Sequence, residues 1–203
     1  MKYATYQTSI QPLLDYFETF FPLSDHDKEL VTTKFHPRLY RKRQFVLQEG
    51  DICTQFNFVL RGCLRTYKID EKGNVHILQF AAEYNWINDL GSFHGLKPST
   101  LNIDALEDTV VFQISRDDLI FLYTEGTMFD RIFRVLVENS LIRLQERLLQ
   151  NISSTADDRY ESFLELYPHL VNRLSQVQIA AFLGVTPEFL SRLRNLRSKA
   201  SKT

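Results

Sequence analysis

Gly184 separates two short helical patterns near the C-terminal end of the chain, and this arrangement constrains the fold more than any other feature. Before it, the apolar residues of 179–183 are spaced for the buried side of a helix, and Ser175 can act as its N-cap. Gly184 can adopt the positive φ that a sharp turn requires. Thr186 and Pro187 then suit the N-cap and the first position of a second helix. The pattern therefore predicts a helix-turn-helix.

The second of these helices carries polar residues at i, i+3, i+4 and i+7, on the side away from Leu190 and Leu193. In a helix-turn-helix this helix enters the major groove of DNA, where arginine can bind guanine and glutamate can accept from cytosine. The predicted DNA-binding residues are Thr186, Pro187, Glu188, Ser191, Arg192, Arg194 and Asn195. The alternative is that Glu188 and Arg192 form an ordinary surface ion pair four residues apart.

The charge of the chain is unevenly distributed. The protein as a whole carries a formal charge of −1, but residues 173–203 carry +5 and residues 1–172 carry −6. A basic C-terminal segment on an acidic body suits contact with phosphates. A solvated basic terminus explains the charge equally well, so the charge alone does not decide between the two.

The middle of the chain consists of short β-rich segments with turn residues between them. These segments are Phe45 to Leu47, Phe56 to Leu60, Cys63 to Ile69, Val75 to Phe80, Leu101 to Leu106 and Val110 to Ile114. Their spacing predicts an antiparallel sandwich or barrel. Helical patterns flank them at residues 9–35 and 116–124, and the basic segment 38–43 is predicted to be a solvated connector.

A longer helical pattern covers residues 128–152 and has an apolar stripe at alternating steps of three and four. Such a stripe is close to a coiled-coil seam, although most helices with one pack against their own domain. A second apolar set on the same helix suggests that one side covers the β-domain and the other meets a second subunit. The predicted dimer interface is Phe133, Val137, Leu141, Leu144 and Leu148.

These elements together predict an α+β fold. An antiparallel β-roll domain flanked by helices occupies residues 1–126, a dimerisation helix residues 127–153, and an all-α DNA-binding domain residues 154–203. The segment 153–155 is the predicted hinge, and a helix is expected over residues 159–174.

The chain resembles the Crp/Fnr type of bacterial transcription factor over nearly its whole length. The resemblance rests on Phe45 to Asp51, on Phe58 to Tyr67 and on the hairpin at Gly73, which are similar to the cyclic-nucleotide-binding β-roll. It rests also on the helix 128–152 and on the segment 179–192. In the family, the positions of Glu188 and Arg192 contact bases. Pro187 replaces a third contacting arginine, so the operator is expected to differ.

The resemblance also implies an effector pocket, and here the sequence departs from the family. Candidate pocket residues are Asn88, Asp89, Leu90, Lys97, Ser99 and Thr100. The phosphate-binding arginine of the family falls near Ser99 and Thr100, and Lys97 could replace it only as a point charge. We therefore expect no tight binding of cyclic AMP. The cysteines that bind an iron–sulfur cluster in some members are absent too.

Catalytic and metal sites are not predicted. The two cysteines, Cys53 and Cys63, match no zinc motif and are expected to be reduced packing residues. The five histidines are scattered, which argues against the main enzymatic alternative, a cupin-like metalloenzyme. Neither a signal peptide nor a membrane span is predicted, and the expected location is the cytoplasm.

The sequence thus predicts a homodimeric transcription regulator with no enzymatic activity and no cofactor. Its expected partner is double-stranded DNA with a palindromic operator, and RNA polymerase and an unidentified small-molecule effector are further candidates. The alternative is a small-molecule-binding β-roll protein whose helix-turn-helix is vestigial or contacts other proteins.

Overall fold

The computed structural model of the protein describes residues 8–126 and 128–200, with side chains through residue 196. Its helices are α1 (Gln11–Glu18), α2 (Asp25–Lys34), α3 (Leu90–Gly95), α4 (Arg116–Glu125), α5 (Phe129–Ser153), α6 (Ala156–Leu166), α7 (Gln176–Leu183) and α8 (Pro187–Ala200). Its strands are β1 (His36–Tyr40), β2 (Phe45–Leu47), β3 (Gln55–Arg61), β4 (Leu64–Ile69), β5 (Val75–Ala81), β6 (Trp86–Ile87), β7 (Asn102–Ala105) and β8 (Thr109–Ser115). Among the described residues, no helix is both long enough and apolar enough to cross a membrane.

Two four-stranded antiparallel sheets form the β-roll that the short β-rich segments predict. One sheet has the order β1-β8-β3-β6 and the other the order β2-β7-β4-β5. Strand β8 lies between β1 and β3 and is buried along six of its seven residues, which explains its nearly continuous apolar sequence. The predicted α+β class and the antiparallel roll are confirmed.

The basic segment after α2 is not merely a connector, as the sequence suggested, because its first part forms strand β1. Residues 36–40 pair with β8 along their full length. Pro37 is tolerated because β1 is an edge strand, where one missing donor leaves no partner unsatisfied. The guanidinium of Arg38 lies 4.6 Å from the ring centre of Tyr40, so the cation is accommodated on an aromatic face.

Aromatic side chains around Trp86 form the core of the first compact unit, which comprises residues 8–67 and 79–138 of the described chain. The rings of Phe58, Phe56 and Phe133 lie 5.0, 5.1 and 5.5 Å from the Trp86 ring. Phe17 of α1 stacks on Trp86 at 5.9 Å. The N-terminal helix and the start of α5 are therefore anchored to the same aromatic cluster.

The second compact unit comprises residues 68–78, the tip of the β4–β5 hairpin, together with residues 139–200 of the described chain. Within it, α6 is shorter than the predicted helix 159–174 and ends at Leu166. Pro168 explains the difference, because a proline restricts the residue before it and cannot continue the hydrogen-bond ladder. Leu170 and Leu174 are nevertheless buried, in the turns that follow.

The compact units divide the chain differently from the predicted domains. The division falls between Glu138 and Asn139, inside α5, whereas the sequence placed boundaries near residues 126 and 153. The reason is that the first turn of α5 is anchored in the aromatic core through Phe129, Ile132 and Phe133, all of which are buried. The hairpin tip 68–78, distant in sequence, is grouped with the C-terminal helices.

Candidate nucleic-acid interface and ligand pocket

Local hydrogen bonds fix the beginning and the end of α7. The Ser175 hydroxyl accepts from the Gln178 backbone amide, and the Gln178 side chain accepts from the Ser175 backbone amide at 2.7 Å. Gly184 has φ +69°, and its N–H donates to the Ala180 carbonyl, which closes the helix. Ala180 is fully buried, and its small side chain permits close contact with α8.

Helix α8 begins as the sequence predicts. The Thr186 hydroxyl accepts a hydrogen bond of 3.2 Å from the Phe189 backbone amide, and Pro187 is the first helical residue. Leu190 and Leu193 are buried, so they form the inner side of the helix. Two helices, a turn at a left-handed glycine and a second N-cap therefore form the predicted helix-turn-helix.

The side chains predicted to contact DNA lie on the outer side of α8 and at its start. Thr186, Glu188, Arg192 and Asn195 are exposed, and Pro187, Ser191 and Arg194 are half-buried. No ion pair joins Glu188 to Arg192 in the described part of the chain, although they are four residues apart. The Arg192 guanidinium lies 6.0 Å from the ring centre of Phe189 instead. Both charged groups thus remain available to a ligand.

Arg147 is a half-buried cation of the second unit that the sequence did not point to. Its guanidinium donates to the backbone carbonyls of Ile77 at 2.9 Å, of Leu78, and of Phe182 at 3.0 Å. It also lies 3.9 Å from the Phe182 ring centre. Burial lowers its pKa from the ordinary value of arginine. These bonds tie α5 to both the hairpin tip and the end of α7.

The six predicted pocket residues differ in exposure and in their hydrogen bonds. Asp89 caps α3 by accepting from the Ser92 amide at 3.1 Å, and its second oxygen accepts from the Ser99 hydroxyl at 2.7 Å. Leu90, Lys97 and Thr100 are exposed, and the buried amide nitrogen of Asn88 has no hydrogen-bond partner. Among these six residues, a hydrogen bond joins Asp89 to Ser99, and both side chains already have partners.

A small cavity inside the roll is lined by other residues, among them Val46, Cys53, Gln55 and Asn57. Its volume of about 40 Å³ is far below the several hundred cubic ångströms of ordinary ligand pockets. The nearby guanidinium of the sheet, Arg65, already forms a bidentate pair with Asp104 at 2.7 and 2.9 Å. The Arg65 guanidinium is therefore already engaged and does not offer a nucleotide phosphate an unpaired cation.

Cys53 and Cys63 are buried, and burial raises the pKa of the Cys53 thiol. Within the described residues, no three histidine, cysteine, aspartate or glutamate side chains are grouped so that they could hold a metal ion.

The predicted dimer interface needs one correction. Phe133 is 4% exposed and belongs to the aromatic core of the first unit, so it is not available to a second subunit. The other four predicted side chains are between 49% and 63% exposed: Val137, Leu141, Leu144 and Leu148. Toward the end of α5, Leu149 and Ile152 extend this exposed apolar surface. The stripe therefore begins one turn later than the sequence suggested.

Comparisons with known proteins agree with this architecture. Residues 37–125 match the family of cyclic nucleotide-binding domains. Among solved structures, FixK2 from Bradyrhizobium japonicum is similar with a TM-score of 0.72 and 22% identity, covering 82% of this chain and 86% of that chain. A regulator of the Crp/Fnr family from Eubacterium rectale has a TM-score of 0.70 and 20% identity over 91% of this chain and 88% of its own.

A third similar structure is the c-di-GMP responsive global regulator CLP from Xanthomonas campestris, with a TM-score of 0.64 and 17% identity over 87% of this chain and 93% of that chain. Among curated protein sequences, none matches this chain. The likeness to the solved structures extends over most of both chains in each pair, and at these identities it establishes the fold.

Proposed function

We propose that this chain, which contains a cyclic nucleotide-binding domain over residues 37–125 and has the Crp/Fnr fold, is a sequence-specific DNA-binding transcription regulator. The observation that carries the proposal is the outer side of α8. There Glu188 and Arg192 are exposed and not paired with each other, on a helix held by a capped helix-turn-helix. A charged side that is neither buried nor internally neutralised suits base edges in the major groove.

The regulator is proposed to act as a homodimer joined along the exposed apolar side of α5. One recognition helix reads only a few base pairs, whereas two related by a two-fold axis read half-sites about 34 Å apart. The proposed interface comprises Val137, Leu141, Leu144 and Leu148. The corresponding operator is a palindrome.

The sensor role is proposed for the β-roll, with an effector other than cyclic AMP. The small internal cavity and the engagement of Asp89 and Ser99 with each other support this. RNA polymerase is the proposed further partner and the cytoplasm the proposed location, because a transcription regulator acts where the DNA is transcribed. The proposal includes no enzymatic activity.

Sequencing of genomic fragments that bind the purified protein tests the function directly. The expected result is enrichment of a palindromic consensus with half-sites about one helical turn apart. An absence of any enriched sequence would favour the other function, a β-roll whose helix-turn-helix contacts proteins.

Arg192→Ala tests the recognition helix on the selected operator. Operator affinity, measured by fluorescence anisotropy, should fall at least about fivefold, since a bidentate guanine contact is worth roughly 1–3 kcal/mol. Arg131→Ala is the matched control, because Arg131 is an exposed arginine at the start of α5. Equal affinities of the two variants would show that α8 does not read bases through Arg192.

A further inference from the structure

The outer side of α8 is not uniformly polar. Phe189 is 40% exposed and Leu196 is 70% exposed, and Arg192 lies between them in sequence. The three residues are at i, i+3 and i+7, so they share one stripe along the helix. The DNA-binding residues predicted from the sequence include only the arginine of this stripe.

Phe189 does not belong to the buried side of α8. Leu190 and Leu193 supply the buried contacts of α8 and are 1% and 9% exposed. The Phe189 ring instead lies beside the Arg192 guanidinium, with 6.0 Å between the guanidinium carbon and the ring centre. The position of this ring beside the exposed Arg192 therefore suggests that Phe189 contacts a partner outside the chain.

The major groove supplies a chemical partner for this ring. The C5-methyl group of thymine is the apolar group that base edges present there, and phenylalanine is among the side chains that contact it. Phe189 is the third residue of α8, and the N-terminal residues of a recognition helix are those that reach base edges.

The spacing of Phe189 and Arg192 matches neighbouring base pairs. Three residues of helix rise about 4.5 Å, close to the roughly 3.4 Å between stacked base pairs. We propose that Phe189 is a specificity-determining residue that packs on a thymine methyl group, next to the guanine that Arg192 binds. The inference rests on the proposed function and makes it more specific: each half-site contains adjacent thymine and guanine.

The test uses the operator selected by the wild-type protein from random or genomic DNA. Each thymine adjacent to a guanine in the half-site is replaced in turn by deoxyuridine, which removes only the methyl group. Replacement of the one thymine that Phe189 contacts should lower the operator affinity of the wild type by about threefold to fivefold per half-site, because burial of one methyl group contributes about that much to binding. Phe189→Ala should bind the thymine operator more weakly and should be indifferent to uracil, within about twofold.

Leu196→Ala is the matched control, because Leu196 is an exposed apolar residue further along the same helix. It should discriminate between thymine and uracil as the wild type does. Equal loss on uracil replacement in wild type and Phe189→Ala would mean that another residue contacts the methyl group, which overturns the assignment.

The outcomes separate the two proposals. Selection of an operator whose binding is indifferent to every uracil replacement overturns the role of Phe189 and leaves the DNA-binding function standing. Failure to select any DNA overturns both. The uracil series on wild-type protein tests the methyl contact even if Phe189→Ala does not fold.

Discussion

A single half-buried side chain, Arg147, connects three segments of the second unit that are far apart in sequence. Its guanidinium donates to the Ile77 and Leu78 carbonyls of the hairpin tip and to the Phe182 carbonyl in the last turn of α7, where a cation is also favoured by the helix dipole. Because Phe182 directly precedes the end of α7, Arg147 helps to position the helix-turn-helix.

Replacement of Arg147 by methionine, which has a similar length, should therefore loosen both attached segments. Loss of charge-assisted hydrogen bonds is expected to cost about 2–3 kcal/mol. Thermal denaturation should show a lower melting temperature, and hydrogen exchange should accelerate in residues 68–78 and 176–183. Arg143→Met, one turn earlier at an exposed position, is the control. Unchanged exchange at both segments in Arg147→Met would contradict this role.

At the scale of elements, α5 changes character along its length. Its first turn is buried among the aromatic residues of the roll, whereas from Val137 onward its apolar stripe is exposed. Each large apolar side chain left in water forfeits roughly 1.5–3 kcal/mol relative to burial. Four such residues, buried on both copies of a dimer, favour association even after its entropic cost.

Leu141→Glu combined with Leu144→Glu should abolish that association, because it places like charges at the centre of the stripe. Sedimentation should show a dimeric wild type and a monomeric double variant with weak operator binding. Asn139→Glu with Arg143→Gln changes the net charge by the same amount on the opposite side of α5 and should remain dimeric. A wild type that is monomeric at micromolar concentration would rule out both the interface and the palindromic operator.

At the scale of the whole molecule, the β-roll leaves little room for an internal ligand, since the cavity inside it measures only about 40 Å³. The segment that would receive a phosphate is occupied by the Asp89 cap and its bond to Ser99. An anionic ligand would meet the Asp89 carboxylate and would have no arginine to pair with among the predicted pocket residues.

Cyclic AMP at millimolar concentration should accordingly leave the melting temperature and the operator affinity unchanged. A ligand present well above its dissociation constant stabilises the native state, by about 2.7 kcal/mol at a hundredfold excess. Differential scanning fluorimetry over a series of concentrations is the measurement. A saturable rise in melting temperature would show that Asp89, Lys97 and Thr100 form a phosphate site despite these contacts.

The sequence by itself determined the features that depend on neighbours within a few residues. The cap at Ser175, the left-handed Gly184 and the restart at Thr186 all form as predicted, because each rests on hydrogen bonds spanning three or four residues. Once the start of α8 was fixed at Thr186 and Pro187, helical periodicity placed Glu188 and Arg192 on its exposed side.

Only the tertiary structure decided the features that depend on distant segments. It placed Phe133 in the aromatic core, since helical periodicity does not show which apolar stripe meets the roll. It paired Asp89 with Ser99, and it brought Arg147 to Ile77 and Phe182, which lie 70 and 35 residues away along the chain. Contacts at such separations depend on the packing of whole elements, which local propensity does not encode.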